Sequence, residues 1–285
     1  MSGRILVLGA TGTVGTPLVA ELLARGEQVR AASRHATAVR GAEAVRFDHF
    51  DLSTHEAAFE GVDRAYVLVP AGHVGVAEIL QPILDLAARK GVKVVLQSAL
   101  GVDADDAIPF RQAELRLERS GTRYVILRPN WFLDNFQSYW GEGIRQHGVV
   151  AVPAGEGKTS FIDARDIALS AAAALTSDRF DGRAFNLTGP EALSYHEAAA
   201  VLSNALGRTV TYRPVDDETF VGIVTQAGVP EGYARFLAAI FYPVREGWAS
   251  AVTGDVEELT GEPPRDLRAW VLRDHGDRLT VGAAA

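Results

Sequence analysis

Three glycines near the start of the chain are spaced for one job. In Gly9-Ala10-Thr11-Gly12-Thr13-Val14-Gly15 the first glycine allows a tight turn and the second leaves the backbone bare for a close ligand. The third lets a following helix lie close to the preceding strand. Such a loop presents free amides at the positive end of a helix, where phosphate binds. The flanking residues supply both elements. Arg4–Leu8 (RILVL) is an aliphatic run of the kind buried on both faces of a parallel sheet. Leu18, Val19, Leu22 and Leu23 recur at helical spacing, with Pro17 in the first turn and Gly26 as the stop. Strand, glycine loop and helix in that order predict a dinucleotide site. Gly9, Thr11, Gly12, Thr13, Val14 and Gly15 would hold its pyrophosphate.

The next strand, Gln28–Ser33, bears on which dinucleotide. A site for NAD usually ends this strand with an acid for the ribose 2′-hydroxyl. Here no acid occurs before Glu43, and Ser33-Arg34 stands in its place with Arg40 nearby. A guanidinium suits a 2′-phosphate, so the expected cofactor is NADP(H), held there by Ser33 and Arg34.

The elements that must position these groups follow at short spacing. Strands are predicted at residues 44–47, 64–70, 93–96 and 124–127, and a helix at 79–88. Ligands of open α/β sheets lie at the carboxyl ends of the strands. On that rule Asp51-Leu52 lie under the adenine, and Pro70, Ala71, Ser98 and Ala99 flank the nicotinamide ribose. His73 reads as a solvated loop histidine. The fold class is α/β, a doubly wound parallel Rossmann sheet with a smaller C-terminal α/β substrate lobe. The nucleotide domain is drawn at residues 1–150 and the substrate lobe at 151–285, with a strand near 184–187 returning to the sheet. In the lobe, 161–166 reads as a short strand entering a helix at 167–175, with Asp163 and Asp166 as helix-start or anchoring carboxylates. A helix over 195–206 is capped by Ser194 and stopped by Gly207, and 210–213 is a short strand. Residues 216–247 look helical with breaks at Gly228 and Pro230. Phe236, Leu237, Ile240 and Phe241 are spaced to cover a groove. Trp248, Val252 and Val256 continue the packing, and the tail after His275 frays.

Composition narrows the function classes. The 285 residues carry a net charge of −8, which disfavours a nucleic-acid partner, whose footprint would be a basic face. There is no cysteine, so disulfides, thiolate nucleophiles and cysteine metal sites are excluded. The histidines are scattered and no metal-ligand spacing occurs. No apolar run approaches the roughly 20 residues of a membrane span, and no signal segment precedes the first strand. These features imply a cytoplasmic protein, monomer or homodimer, acting on a small molecule.

The glycine loop and strand order resemble the short-chain dehydrogenase/reductase superfamily. Its ordinary members pair a serine after the fifth strand with Tyr-x-x-x-Lys, the lysine lowering the phenol pKa for proton exchange. Ser98 matches the serine. The pair is missing: the lysines are Lys90, Lys93 and Lys158, and Leu86, Arg89 and Ala154 stand four residues before them. The window 108–116 (IPFRQAELR) holds neither residue.

Further stretches sharpen the resemblance: RFDHFDLST from Arg46, LRPNWFLDNF from Leu127, FIDARDIA from Phe161, LTGPEALSY from Leu187 and LTGEPPRDL from Leu259. Together they resemble the NmrA-like, atypical short-chain dehydrogenases, near the branch of the ergot-alkaloid reductases. The resemblance implies NADPH-dependent hydride transfer to a conjugated, quinoid or iminium acceptor, which needs positioning more than acid help. It also leaves open a non-catalytic NADP(H) sensor with a protein partner, or an isomerase or cyclase. Relatives often carry a lysine or histidine where this chain has Pro109 and Phe110, which puts a general acid there in doubt. The candidate catalytic residues are Ser98, Asn130 and Trp131. The candidate contacts to a planar substrate are Trp131, Phe132, Tyr139, Trp140 and Phe236.

Overall fold

A computed structural model describes residues 3–279. In chain order the first elements are β1 (Arg4–Leu8), α1 (Gly15–Ala24), β2 (Gln28–Ser33), β3 (Glu43–Arg46), α2 (His55–Ala58), β4 (Val62–Val67), α3 (Val76–Arg89), β5 (Lys93–Gln97), α4 (Pro109–Glu118) and β6 (Tyr124–Pro129). Then come α5 (Gly141–His147), β7 (Val149–Val152), β8 (Lys158–Thr159), α6 (Ala164–Thr176), β9 (Arg183–Leu187), β10 (Leu193–Ser194), α7 (Tyr195–Leu206) and β11 (Thr211–Pro214). The chain continues through α8 (Asp217–Gln226), α9 (Glu231–Ala239), α10 (Tyr242–Arg245), α11 (Asp255–Thr260) and α12 (Leu267–Trp270).

Two units emerge. The first comprises Met1–Pro129, Ala164–Leu187 and Asp255–Glu262; the second comprises Asn130–Asp163, Thr188–Gly254 and Pro263–Ala285. The boundary drawn at residue 150 therefore differs from the structural one. The chain changes unit at the last residue of β6, not in a linker, which composition does not mark.

The first unit is a parallel sheet in the order β3-β2-β1-β4-β5-β6-β9. β1 is buried along Ile5, Leu6, Val7 and Leu8, as a central strand of a covered sheet must be. Leu6, Leu8, Val67, Leu96 and Ile126 share one face with Leu80, Ile83 and Leu84 of α3 and Leu117 of α4. β9 pairs with β6 from Val125–Arg183 to Pro129–Leu187. Lys93, fully buried at the start of β5, ion-pairs with Asp181 and donates to the Ser177 carbonyl at 2.7 Å. β4 stops at Val67, three residues short of the strand expected to reach Pro70. The physical reason is that Pro70 has no N–H for the ladder and the Leu68 carbonyl bonds His49 instead.

The second unit has its own core, built on Phe136, Trp140, Phe161, Tyr195, Tyr212, Phe241 and Trp270. β7 and β11 pair in parallel, and β8 and β10 antiparallel. Residues 161–163 form no strand; only a bridge joins Phe132 to Ile162, and α6 begins at Ala164. Ser194 caps α7 in a capping box with Glu197. Val256 is buried as expected, but Trp248 and Val252 are exposed. After His275 a 3₁₀ turn, Asp277–Leu279, ends with Leu279 buried and its carbonyl bonded to Arg208, so this stretch packs and does not fray. Residues 280–285 lie outside the described residues. Among the described residues no helix is long and apolar enough to cross a membrane, and no cluster of three ligands could hold a metal.

A buried ion network fixes α4 to the sheet. Arg128 of β6 grips the fully buried Glu114 with Nε at 2.9 Å and Nη2 at 2.7 Å, and also pairs with Asp103. Arg111 adds a second guanidinium to Glu114 at 3.0 Å. Burial works against the Arg128 charge, yet the Glu114 and Asp103 carboxylates beside it raise its pKa above the ordinary value. Removing one partner of such a pair leaves the other charge unmatched. Glu114→Ala is expected to destabilise the fold by about 3–5 kcal/mol in chemical denaturation.

Candidate functional site

The glycine loop of the first unit has the geometry its spacing predicts. Gly9 takes φ +64°, which turns the chain out of β1. A Cβ on Gly15 would lie 2.0 Å from the Gly9 carbonyl oxygen and 2.9 Å from the Ala10 Cα. Only glycine lets α1 approach that closely. The Gly12 amide donates to the Gly9 carbonyl at 2.9 Å, and the Thr16 amide to the Gly12 carbonyl at 2.9 Å. The amides of Thr13, Val14 and Gly15 meet no backbone carbonyl among the described residues. They are the free donors of a helix N-terminus. Thr11, Gly12 and Thr13 are exposed beside them, while Val14 and Gly15 are buried.

At the end of β2 the Ser33 hydroxyl accepts from the Thr37 amide at 2.9 Å. Arg34 and Arg40 are exposed, with no ion-pair partner among the described residues. Glu43 is engaged by Arg4 at 3.2 Å and Arg30 at 2.9 Å. It is thus neutralised within the sheet, and Arg34 is left with its charge uncommitted.

The loops after β3 and β4 meet. His49 Nε2 bonds the Leu68 carbonyl at 3.0 Å, and burial lowers its pKa. The exposed Phe50 and His73 rings lie 4.5 Å apart. Asp51 turns its carboxylate into its own loop, accepting from the Ser53 amide at 3.2 Å, while Leu52 stays exposed. Pro70 is half-buried and Ala71 exposed just beyond.

Ser98 stands one residue past β5. Its amide donates to the Leu127 carbonyl at 2.7 Å, and its hydroxyl is buried without a hydrogen-bond partner. Ala99 follows, half-buried. Sequence reasoning missed the fully buried Tyr66, whose phenol donates to Gln97 Oε1. Burial pushes the Tyr66 pKa far up, so its proton stays in place. Nothing in the residue pattern separates Tyr66 from an ordinary core aromatic.

In the second unit the candidates separate. Asn130 is buried, and its Nδ2 donates to Ser160 Oγ at 2.8 Å and to the Ala249 carbonyl at 2.8 Å. Its Oδ1 accepts from the Trp131 amide at 2.9 Å. Both amide protons are committed, so Asn130 is a clamp and not the catalytic group proposed from sequence. Its partners lie 30 and 119 residues away, which no local pattern reveals. Trp140 is 7% exposed inside the aromatic core, against Phe136 and Tyr195. This removes it from the substrate contacts. Trp131 is half-buried, 4.5 Å from Phe241, and Phe132 is half-buried beside it. Tyr139 and Phe236 are exposed and come together through Tyr233: its ring stacks on Phe236 at 5.8 Å. Burial and the nearby Tyr233 push the Tyr139 pKa up to about 12. Leu237 and Phe241, expected at a groove, are core residues. Asp163 is buried and ion-paired with Arg265 at 2.8 Å, an anchoring role that joins the FIDARD and PPRDL stretches.

A depression of about 930 Å³ lies on the α3 and α4 faces, lined by Asp85, Arg89, Arg116 and Arg119 among others. It contains none of the residues above, and its walls are charged where a conjugated ligand would need apolar ones.

Residues 1–249 match the profile of the NmrA-like family. The chain belongs to that family. The uncharacterized oxidoreductase YesF of Bacillus subtilis is 37% identical over 265 residues, 92% of each chain. The NAD(P)H azoreductase of Xenophilus azovorans is 32% identical over 271 residues, 92% of this chain and 94% of that one. The crystal structure of the Escherichia coli NADPH-dependent quinone oxidoreductase in complex with NADPH superposes with a TM-score of 0.83. It is 25% identical, covering 94% of this chain and 98% of that one.

Two outcomes check this geometry. Gly15→Ala is expected to destabilise the fold by about 1–3 kcal/mol through overpacking at the Gly9 carbonyl, and to weaken nucleotide binding in the same calorimetric experiment. Asn130→Ala is expected to cost about 1–3 kcal/mol in urea denaturation, because the Ala249 carbonyl and Trp131 amide lose a buried partner.

Proposed function

We propose that this chain is an NADPH-dependent reductase that delivers hydride to a conjugated small molecule: a quinone, an azo compound, a triarylmethyl cation or an iminium ion of the ergot-alkaloid type. The observation that carries the reading is the pairing of a phosphate cradle with the uncommitted Arg34. This pairing stands in a chain 32% identical along its length to an NAD(P)H azoreductase.

The residues present fit NADPH. The free amides of Thr13, Val14 and Gly15 suit the pyrophosphate, and the bare Gly12 backbone lets it come near. Arg34 suits the 2′-phosphate, while Glu43, held by Arg4 and Arg30, does not compete for the ribose. Bound NADPH supplies the hydride. A conjugated or cationic acceptor already has an electron-poor atom, so the chain's task is to place it and exclude water. The unpartnered Ser98 hydroxyl orients the acceptor's heteroatom as that atom gains electron density. Pro70, Ala71 and Ala99 flank the nicotinamide ribose, and Ser33 assists Arg34. Trp131, Phe132, Tyr139 and Phe236 supply apolar contact to a planar acceptor. The protein is taken to act in the cytoplasm, as a monomer or homodimer, with no nucleic-acid partner.

Titration with NADPH and NADH, then absorbance at the reduced-nicotinamide band with a panel of quinones, azo dyes and iminium ions, tests the reading. Tight NADPH binding with acceptor-dependent oxidation is expected. Binding without oxidation by any acceptor would overturn it. Arg34→Ala should weaken NADPH by roughly 1.5–3 kcal/mol, the worth of a charge-assisted contact, and leave NADH unchanged. Equal weakening of both nucleotides would refute the role of Arg34.

A further inference from the structure

The loops that follow β3 and β4 carry two uncovered rings at one edge of the first unit's sheet. Phe50 is 58% exposed, and its ring lies 4.5 Å from the exposed His73 ring. The Phe50 loop is tightly mounted. Buried Phe47 stacks on His55 at 4.5 Å and meets His49 edge-on at 5.2 Å. His55 Nε2 bonds the Asp48 carbonyl at 2.9 Å, and the Phe50 amide donates to Asp48 Oδ1 at 3.0 Å. His49 Nε2 bonds the Leu68 carbonyl at 3.0 Å. That bond ties the loop after β3 to the loop after β4, which carries His73. A buried ring, two imidazoles and a carboxylate thus hold an apolar ring in water.

Two contacts set this pair beside the glycine loop and Arg34, all within the same unit. A Cβ on Gly9 would come 3.4 Å from Leu68 Cδ2, so the Leu68 side chain borders the turn out of β1. The Phe47 amide donates to the Ser33 carbonyl at 3.0 Å, one residue before Arg34. β1, β2, β3 and β4 run parallel, so their ends share the carboxyl edge at which open α/β folds bind ligands. The covalent structure of NADPH supplies the next step. Its adenine and its 2′-phosphate stand on adjacent carbons of one ribose. With the pyrophosphate at the amides of Thr13, Val14 and Gly15 and the 2′-phosphate at Arg34, the base is held within a ribose's width of the Ser33–Phe47 junction. The Phe50 loop leaves the sheet at that junction.

We propose that Phe50 and His73 form the stacking platform for the adenine ring of the nucleotide. The proposal rests on the NADPH reading above and names the residues that grip the cofactor at the end remote from the hydride. The chemistry fits the occupant. A purine is a flat π-system that stacks on aromatic side chains, and such stacking needs no hydrogen-bond code. A ring on a hydrogen-bonded mount keeps its orientation without a ligand, so little ordering is left to binding. The site then divides by chemistry: amides and Arg34 take the phosphates, and the ring pair takes the base. The base is common to NADPH and NADH, whereas the 2′-phosphate is not. The platform therefore adds affinity without choosing between the two, and Arg34 makes the choice.

The test compares Phe50→Leu, which keeps an apolar side chain, with Phe50→Tyr, which keeps a ring, with urea denaturation confirming that each folds. Calorimetric titration follows NADPH, NADH and 2′,5′-ADP, which carries the adenine and the 2′-phosphate but no nicotinamide. In Phe50→Leu the Kd of all three is expected to rise by one common factor, roughly three- to tenfold, as loss of one aromatic stacking contact gives. Phe50→Tyr should restore most of the affinity, and His73→Ala should raise the same three Kd values. An unchanged Kd for 2′,5′-ADP in Phe50→Leu or His73→Ala, or a loss confined to the nicotinamide nucleotides, overturns the platform while leaving the reductase intact. The common rise in a protein whose wild type no acceptor oxidises overturns the reductase and leaves the platform. No binding of NADPH by the wild type overturns both.

Discussion

A Cβ on Gly15 would lie 2.0 Å from the Gly9 carbonyl oxygen, and the rest of the nucleotide site depends on that missing atom. With hydrogen there, α1 lies against the end of β1, and its first amides are delivered to the carboxyl edge of the sheet. The strand brings Gly9 to that edge because Ile5 to Leu8 are buried between helices. The helix keeps its axis because Leu18, Val19 and Leu22 pack inward. The free donors are thus a by-product of packing: the same close approach that fills the core leaves three amides without carbonyls among the described residues.

The missing Tyr-x-x-x-Lys pair has a structural counterpart. α4 is the element that would carry it, and here its polar residues are spent on architecture. Glu114 is buried under Arg128, and Arg111 bridges Asp106, Glu114 and Glu118. These groups hold α4 and the preceding loop against β6. Chemistry that needs little acid help is the kind this arrangement permits, and acceptors already short of electrons supply that chemistry.

Much of the first unit was legible in the residues. β1 and β2 match their predicted ranges, and β1 does so because a buried parallel strand writes itself as an aliphatic run bounded by glycine. The glycine loop was legible for the same reason: each glycine answers a local steric demand. In the second unit α7, its Ser194 cap and its Gly207 stop were legible, but much of the rest was not. β8 and β10 are two residues each, too short to carry a period. Tyr139 and Trp140 are adjacent, yet one is exposed and the other is core, packed on Phe136 and Tyr195, a difference that residue type does not reveal. Asn130 looked catalytic because it follows a sheet strand. Its role is decided by Ser160 and Ala249, which only the folded chain brings within reach.

The order of the segments explains why the domain boundary was misplaced. The first unit takes back residues 164–187 and 255–262, so the chain passes between units at Asn130, Ala164, Thr188, Asp255 and Pro263. A fragment ending at residue 150 would lack β9 and leave β6 as a bare edge with its buried face uncovered. It would also lose α6, which packs on α1 and β5, and the Asp181 carboxylate that matches buried Lys93. The glycine loop would then sit on a helix with one side of its packing gone. Nucleotide binding in this chain is therefore local in its chemistry and distributed in its support. The free amides are confined to one short loop, but the residues that hold that loop in place come from three separate stretches of sequence.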